Sequence, residues 1–198
     1  MSSDGHWASP APAGLTALAI ACFTFFAILT GKVPGSSAPL LGCWLIGGFV
    51  VQFTVAVIEL KDGHLLGGNV FLFFSAFFML VGGIEFLVRS NAGFAAAKPN
   101  TAIDGWAWLV LTITLILWTP AYLKTSNTVM GLLVLLLDVA VVFVTLKDLS
   151  LMDAATGAKY AAWFLLGGGI LGIYMAAAIE LNAAFGRAVL PVGGSIIK

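Results

Sequence analysis

Six apolar stretches, each long enough to cross a bilayer, fill most of this 198-residue chain. A helix that spans the hydrocarbon core needs about 17 to 25 residues, and each stretch has about that length. The stretches are Ala13–Gly31, Pro39–Leu60, Leu65–Val88, Trp106–Leu123, Thr128–Leu146 and Ala158–Leu181. Only 9% of the residues are charged, against roughly 25% in soluble domains. The sequence therefore predicts an all-α integral membrane protein with six transmembrane helices.

The segments between the stretches are short and contain turn-forming residues such as Gly35 and Gly63. None is long enough to fold as a separate soluble domain. We therefore expect residues 1–198 to form a single transmembrane domain, one helical bundle with both termini on the same side. The Lys and Arg residues divide almost equally between the two sides, so the positive-inside rule does not orient the bundle.

The sequence contains no motif for catalysis, for metal or nucleotide binding, or for nucleic acid. Cys22 and Cys43 lie in the first two stretches without metal-ligand spacing, which favours small buried packing residues. We therefore expect no enzyme activity, no cofactor, no metal and no nucleic-acid partner. We expect the lipid bilayer to surround the protein.

Small residues recur every four positions in two of the stretches. Ala13, Ala17 and Ala21 do so in the first, and Gly168 and Gly172 begin a similar series in the last. Such series let helix backbones approach closely in lipid. They are typical either of packing within one protomer or of contact between protomers, and the sequence does not separate the two.

Polar side chains also occur at membrane depth. Gly48, Gln52, Ala56 and Glu59 share one face of the second stretch, which is otherwise rich in Phe, Val and Ile. Such a face either packs on another helix or lines a water-filled path.

Asp138 lies near the middle of the fifth stretch, between two long apolar runs. An ionised aspartate there costs roughly 2.5 to 3.5 kcal/mol on the insertion scale. We therefore expect Asp138 to be protonated, paired or in contact with water. Both a functional role and a neutral hydrogen bond between helices fit this position.

Three separated blocks of the sequence resemble one known family. They are the run from Ser9 through Pro10, Pro12 and Gly14 to Leu15, the second-stretch face from Gln52 to Gly63, and a C-terminal run from Asn182 to Gly193. The first block is similar to the Asn-Pro-Ala-Pro-Leu-Gly-Leu signature of the acetate uptake transporters, which include the bacterial succinate-acetate permeases. The blocks occur in the family's order, and the resemblance covers essentially the whole chain.

The resemblance implies a six-helix protomer with its own central pore for acetate or, in some members, succinate. It also implies a homohexamer in the cell membrane with cytoplasmic termini. The family's pore constriction of Phe, Tyr and Leu falls here on Leu18, Phe74 and Leu136. Phe74 lacks the hydroxyl of the family's Tyr, and Asp138 has no matching residue in the family.

Along the predicted path, the head of the first helix would present polar groups to the solute. Gly14 lies at the positive end of the helix dipole, and Ser9 and Thr16 carry hydroxyl groups. The alternative is that Gly14 and the prolines only shape the start of this helix. Gln52, Glu59 and Asp138 are the polar positions expected further along the path.

An apolar constriction favours a small carboxylic acid once its charge is neutralised, because an unpaired buried carboxylate is far costlier than a neutral acid. We therefore hypothesise that the pore passes the protonated acid or moves anion and proton together, so that uptake rises as pH falls. Two other interpretations stay open. One is a channel for another small solute such as urea or ammonia, and the other is a non-conducting membrane scaffold or sensor.

Overall fold

The computed structural model describes residues 7–97 and 99–198. Within these ranges six helices are long and apolar enough to cross a membrane, and we number them spans 1 to 6. They are Ala11–Leu29, Gly35–Lys61, Leu65–Arg89, Ala102–Thr125, Thr128–Asp148 and Ala154–Phe185. The predicted all-α fold with six transmembrane helices is confirmed.

Several spans begin before the stretches that the sequence predicts. Span 6 starts at Ala154 because Asp153 caps it: the Thr156 amide donates to Asp153 Oδ2 over 2.9 Å. The pKa of Asp153 lies below its usual value because the Thr156 amide and hydroxyl both donate to its carboxylate. The apolar pattern identifies the part of a helix that lies in the hydrocarbon core. It does not show a polar first turn that extends beyond that core.

Span 3 is not a regular α-helix. It consists of α-helix Leu65–Phe73, π-helix Phe74–Leu80 and α-helix Val81–Arg89. A short helix, Ala92–Ala97, follows it. π-Helical turns are rare and often lie at functional sites. Phe74, one of the predicted constriction residues, is the first residue of this segment.

The spans pack in chain order as a ring. Spans 1 and 2, 2 and 3, 4 and 5, and 5 and 6 pack together, and span 6 closes the ring on span 1. The seam between spans 3 and 4 has far less contact. At one end of the ring the Lys61 ammonium lies 4.2 Å from the Trp7 ring centroid, and the Ile197 amide donates to the Leu123 carbonyl over 2.9 Å. The two ends of the described chain therefore lie at the same end of the bundle.

The small residues of spans 1 and 6 serve packing within the protomer. A Cβ at Gly169 would lie 2.8 Å from Cys22 Cβ, and one at Gly172 would lie 3.4 Å from the Leu15 carbonyl oxygen. Spans 1 and 6 therefore approach almost backbone to backbone. Cys22 is buried in this contact, as predicted, but Cys43 is exposed on the outer face of span 2, so its prediction as a buried packing residue is wrong.

Spans 2 and 3 cross at a second close contact, between Gly42 and Gly83. A Cβ at Gly42 would lie 2.7 Å from the Gly83 carbonyl oxygen, a backbone atom that no rotamer change can move. We predict that Gly42→Val destabilises the protein by about 1 to 3 kcal/mol, the usual range for overpacking. Gly47→Val is the matched control, because no atom lies within 4 Å of a Cβ at Gly47. Thermal unfolding in detergent measures both, and equal midpoints would contradict the prediction.

Candidate functional site

A buried apolar cluster lies between spans 1, 4, 5 and 6. We call it the central cluster; its members are Leu15, Leu115, Tyr122, Leu133, Val134, Val141, Met175 and Ala176. Leu18 of span 1 and Phe74 of span 3 both pack against it. Two of the three predicted constriction residues thus contact the same interior cluster, although they lie on different spans.

The third predicted constriction residue, Leu136, points elsewhere. Its Cδ1 lies 3.1 Å from the position of a Cβ at Gly167 of span 6, whereas the next residue, Leu137, packs against the central cluster. A shift of one residue turns a side chain by about 100° around a helix. Leu137, and not Leu136, therefore packs against the same cluster as Leu18 and Phe74. The assignment of these residues to a pore constriction stays a prediction.

Asp138 and Thr119 form a polar pair inside the same region. The Thr119 hydroxyl donates to Asp138 Oδ2 over 2.7 Å, and the other carboxylate oxygen has no hydrogen-bond partner among the described residues. Val134 and Val141 lie one turn to either side of Asp138 on span 5, and both belong to the central cluster. The pair is therefore set into an apolar face. Neither Lys, Arg nor His in the described ranges forms an ion pair with Asp138.

A second polar contact continues the same seam between spans 4 and 5. The hydroxyls of Thr112 and Thr145 lie 2.8 Å apart, and Thr112 also bonds to the Val141 carbonyl over 3.2 Å. Thr112 precedes Thr119 by seven residues and Thr145 follows Asp138 by seven, which is two helical turns in each case. Hydroxyl and carboxyl groups thus align the two antiparallel spans. Both threonine hydroxyls have partners. In the part of the seam that the structure describes, only Asp138 has a carboxylate oxygen without a hydrogen-bond partner.

Gln52 lies buried between spans 1 and 2, with only 2% of its surface exposed. Its amide Nε2 donates to the Gly14 carbonyl over a long 3.4 Å, and its Oε1 has no partner among the described residues. Gly14 is itself closely packed, because a Cβ there would lie 2.7 Å from the Phe71 ring. The polar face of span 2 therefore packs on neighbouring spans, and it leaves one buried acceptor open.

At the head of span 1 the predicted polar groups form hydrogen bonds within the helix, and their role in the path stays a prediction. Thr16 is exposed, and its hydroxyl donates to the Pro12 carbonyl over 2.8 Å. Ser9 is also exposed, and its hydroxyl accepts only a long 3.4 Å bond from the Ala11 amide. The Ala13 and Gly14 amides donate to the Pro10 carbonyl over 3.1 and 3.4 Å. The first-turn amides near Gly14 are therefore engaged within the helix, and the prolines shape its start.

Glu59 lies in the last turn of span 2, just before the chain turns into span 3. It is 7% exposed, and its carboxylate pairs with His64 Nδ1 over 2.8 Å. His64 is itself largely exposed. The sequence marks both residues as polar but gives no sign that they contact each other. Together they form a polar contact at the end of the polar face of span 2.

The C-terminal block organises the tail. The Asn182 side-chain oxygen accepts hydrogen bonds from the amides of Val189 and Leu190 over 2.6 and 2.9 Å, and its Nδ2 donates to the Leu190 carbonyl. The tail then reaches span 5, where the Thr128 hydroxyl donates to the Gly194 carbonyl over 2.7 Å. This block therefore closes one end of the bundle.

Sequence reasoning missed two polar residues of the central region, Thr119 and Tyr122 of span 4. Threonine and tyrosine are common in apolar helices, so neither stands out as a charged residue does. A signal did exist: Leu115, Thr119 and Tyr122 lie on one face at helical spacing. Span 4 is antiparallel to span 5, and this face of span 4 presents the Thr119 hydroxyl to Asp138.

The fold and this site define a multi-pass membrane protein, a ring of six helices around an apolar centre that contains a buried carboxyl group. A scan against family models finds no match. The chain is 27% identical over 159 residues to the succinate-acetate/proton symporter SatP of Escherichia coli (strain K12), covering 79% of this chain and 80% of that one. It is 24% identical over 190 residues to an uncharacterized protein of Methanothermobacter thermautotrophicus, covering 93% and 90% of the two chains.

A solved structure, that of the bacterial acetate channel SatP, has the same fold. The TM-score is 0.80 at 23% identity, and the match covers 94% of this chain and 99% of that one. The sequence comparison agrees with the resemblance that the three sequence blocks carry, and the structural comparison shows that the fold is shared.

Proposed function

We propose that this protein is a membrane channel or transporter for acetate and related short monocarboxylates, and that it carries them as the neutral acid or together with a proton. Two of its relatives are named for acetate, one as a proton symporter and one as a channel. The observation that carries the proton part of the proposal is the Asp138–Thr119 pair inside the central cluster.

The environment of Asp138 favours its neutral form. One neutral hydroxyl donates to the carboxyl group, no cation pairs with it, and apolar side chains surround the pair. A buried, unpaired carboxylate is much costlier than a carboxylic acid. While Asp138 is ionised it repels a carboxylate solute, and once it is protonated the repulsion ends. The same apolar surroundings disfavour the ionised solute itself.

The open acceptor on Gln52 fits the same form of the solute. A buried carbonyl oxygen without a partner gains from a hydrogen-bond donor and gains nothing from an anion, which can only accept. The protonated acid carries such a donor. Gln52 lies on span 2 beside Gly14 of span 1. This position is nearer than Asp138 to the end of the bundle that holds the chain termini, so the solute would contact Gln52 and Asp138 one after the other.

A solute series in proteoliposomes tests the proposed function. We expect labelled acetate uptake to be reduced by unlabelled acetate and propionate and not by equal concentrations of urea or ammonium. Succinate, with two carboxyl groups, should compete more weakly, because both charges must be neutralised. Inhibition by urea or ammonium alone would point to a different solute class, and no uptake above protein-free liposomes would favour the scaffold or sensor.

The resemblance also leads us to propose a homohexamer in the cell membrane with cytoplasmic termini. Large apolar side chains exposed on the outer faces of the spans, such as Trp44, Phe77 and Leu117, support contact with lipid or with neighbouring protomers. Sedimentation of the detergent-solubilised protein tests the number of chains. A monomeric species under conditions that retain transport would contradict the hexamer.

A further inference from the structure

At the end of the bundle opposite the termini, a cleft lies between the end of span 1 and the start of span 6. Its volume is about 450 Å³, within the usual range for small-ligand sites of roughly 300 to 1,000 Å³. It is lined by Phe26, Leu29, Thr30, Lys32, Lys159 and Trp163. None of these belongs to the candidate path described above.

The cleft has an aromatic wall. The rings of Phe26 and Trp163 meet edge to face with their centroids 5.0 Å apart, and Phe26 is buried while Trp163 is 56% exposed. A large indole surface is thus held in place at the outer face of the bundle. Tryptophan at this position, near the end of a membrane helix, is typical of the boundary between acyl chains and headgroups.

The cleft also carries uncompensated positive charge. Lys32 and Lys159 both line it, and no acidic residue does. Among the described residues neither lysine forms an ion pair, whereas Lys147 at the same end of the bundle pairs with Asp148. The Lys32 ammonium lies 5.7 Å from the Phe26 ring centroid, which brings it over the aromatic wall.

We propose that this cleft binds the headgroup of an anionic phospholipid. The phosphate would lie between the Lys32 and Lys159 ammonium groups, and the Thr30 side chain lines the space beside it. The first carbons of the acyl chains would lie on Leu29 and Trp163. Basic pockets between transmembrane helices suit anionic lipids for this reason. A small soluble anion would use the two lysines but leave the apolar wall unoccupied.

Thermal unfolding of the full chain in detergent, titrated with defined lipids, tests the proposal. We expect phosphatidylglycerol to raise the unfolding midpoint, and phosphatidylcholine with the same acyl chains to raise it much less. Glycerol phosphate and inorganic phosphate should have no effect at equal concentration. Stabilisation by these small anions would show a simple anion site and overturn the lipid assignment.

Lysine variants locate the site. Lys32→Gln and Lys159→Gln should each weaken the apparent affinity for phosphatidylglycerol by about fivefold, the usual contribution of one lysine at an anionic membrane surface. Lys147→Gln removes one positive charge at the same end of the bundle and should leave the affinity within about twofold. Both cleft lysines are exposed, so these variants should fold normally.

Two further results would overturn the proposal. Equal weakening by Lys147→Gln would show a general charge effect with no specific site. Unchanged lipid affinity combined with an altered oligomer size in the Lys32 or Lys159 variants would show that a second copy of the chain covers the cleft. Trp163→Leu provides an independent arm, because it keeps both lysines and should still weaken binding by removing the aromatic wall.

Discussion

We expect Asp138→Asn to raise acetate uptake at pH 8 by about tenfold, because it removes a negative charge that repels the anion as it approaches. A repulsion of only about 1.4 kcal/mol is enough for an effect of this size. The variant amide has nearly the same shape as a protonated carboxyl group and the same neutral charge, and less of the wild-type carboxyl group is ionised at pH 5 than at pH 8. We therefore expect uptake at pH 5 to differ from wild type by much less than at pH 8. The measurement is the initial rate of labelled acetate uptake into proteoliposomes at both pH values.

Thr145→Val is the matched control for this variant. Thr145 is buried on the same span, two turns from Asp138, and its hydroxyl is bonded to Thr112 and to the Val141 carbonyl. Its replacement removes a polar contact of the same seam without changing any charge. An Asp138→Asn profile that matches wild type at both pH values would contradict the role that we give to Asp138.

We expect Phe74→Ala to change solute size selection. Phe74 and Leu18 both pack on the central cluster, and removal of the Phe74 ring leaves space against this cluster. We expect uptake of butanoate relative to acetate to rise by about tenfold or more, since one methylene in an apolar site is worth roughly 10- to 200-fold in selectivity. Parallel uptake assays with the two labelled acids measure the ratio.

Phe77→Ala is the control, because Phe77 lies in the same π-helical segment but is 60% exposed on the outer face. Phe74 is partly buried, so truncation to alanine also costs stability, by at most the roughly 3 to 5 kcal/mol of a fully buried Phe. Phe74→Leu, a milder change, should shift the butanoate ratio in the same direction if the protein unfolds with alanine. Equal ratios for the Phe74 and Phe77 variants would contradict a size-selecting role for Phe74.

The six spans could be predicted from the sequence because the hydrocarbon core imposes a length and a composition on every segment that crosses it. The same physics marks Asp138 and Gln52, since a polar group within an apolar helix is costly wherever it points. What the sequence could not supply is the partner of each group. Thr119 and Leu137 take their roles from the rotation and register of packed spans, which are set by side chains far away in the sequence.

The π-helical segment Phe74–Leu80 shows the same limit. Its sequence is rich in Phe and predicts an ordinary apolar helix. In the structure the segment is π-helical, packs against span 2, and contains a Ser75 hydroxyl that donates to the Leu72 carbonyl. Thr16 is the opposite case, because it satisfies its hydroxyl on its own helix at Pro12. Residue type indicated a donor there, and only the backbone geometry shows that the donor is already engaged.

The most direct test of the central claim, that the acid crosses only when its charge is neutralised, is the pH dependence of acetate flux through the wild-type protein. For a carboxylic acid with a pKa of about 4.3, the neutral fraction rises about tenfold for each unit by which the pH falls, as long as the pH stays well above the pKa. Initial rates are measured in proteoliposomes from pH 8 to pH 5, and rates in protein-free liposomes are subtracted because acetic acid also crosses lipid. We predict a protein-dependent rate that rises steeply as pH falls; a rate that is flat over this range, or that falls, would contradict the account.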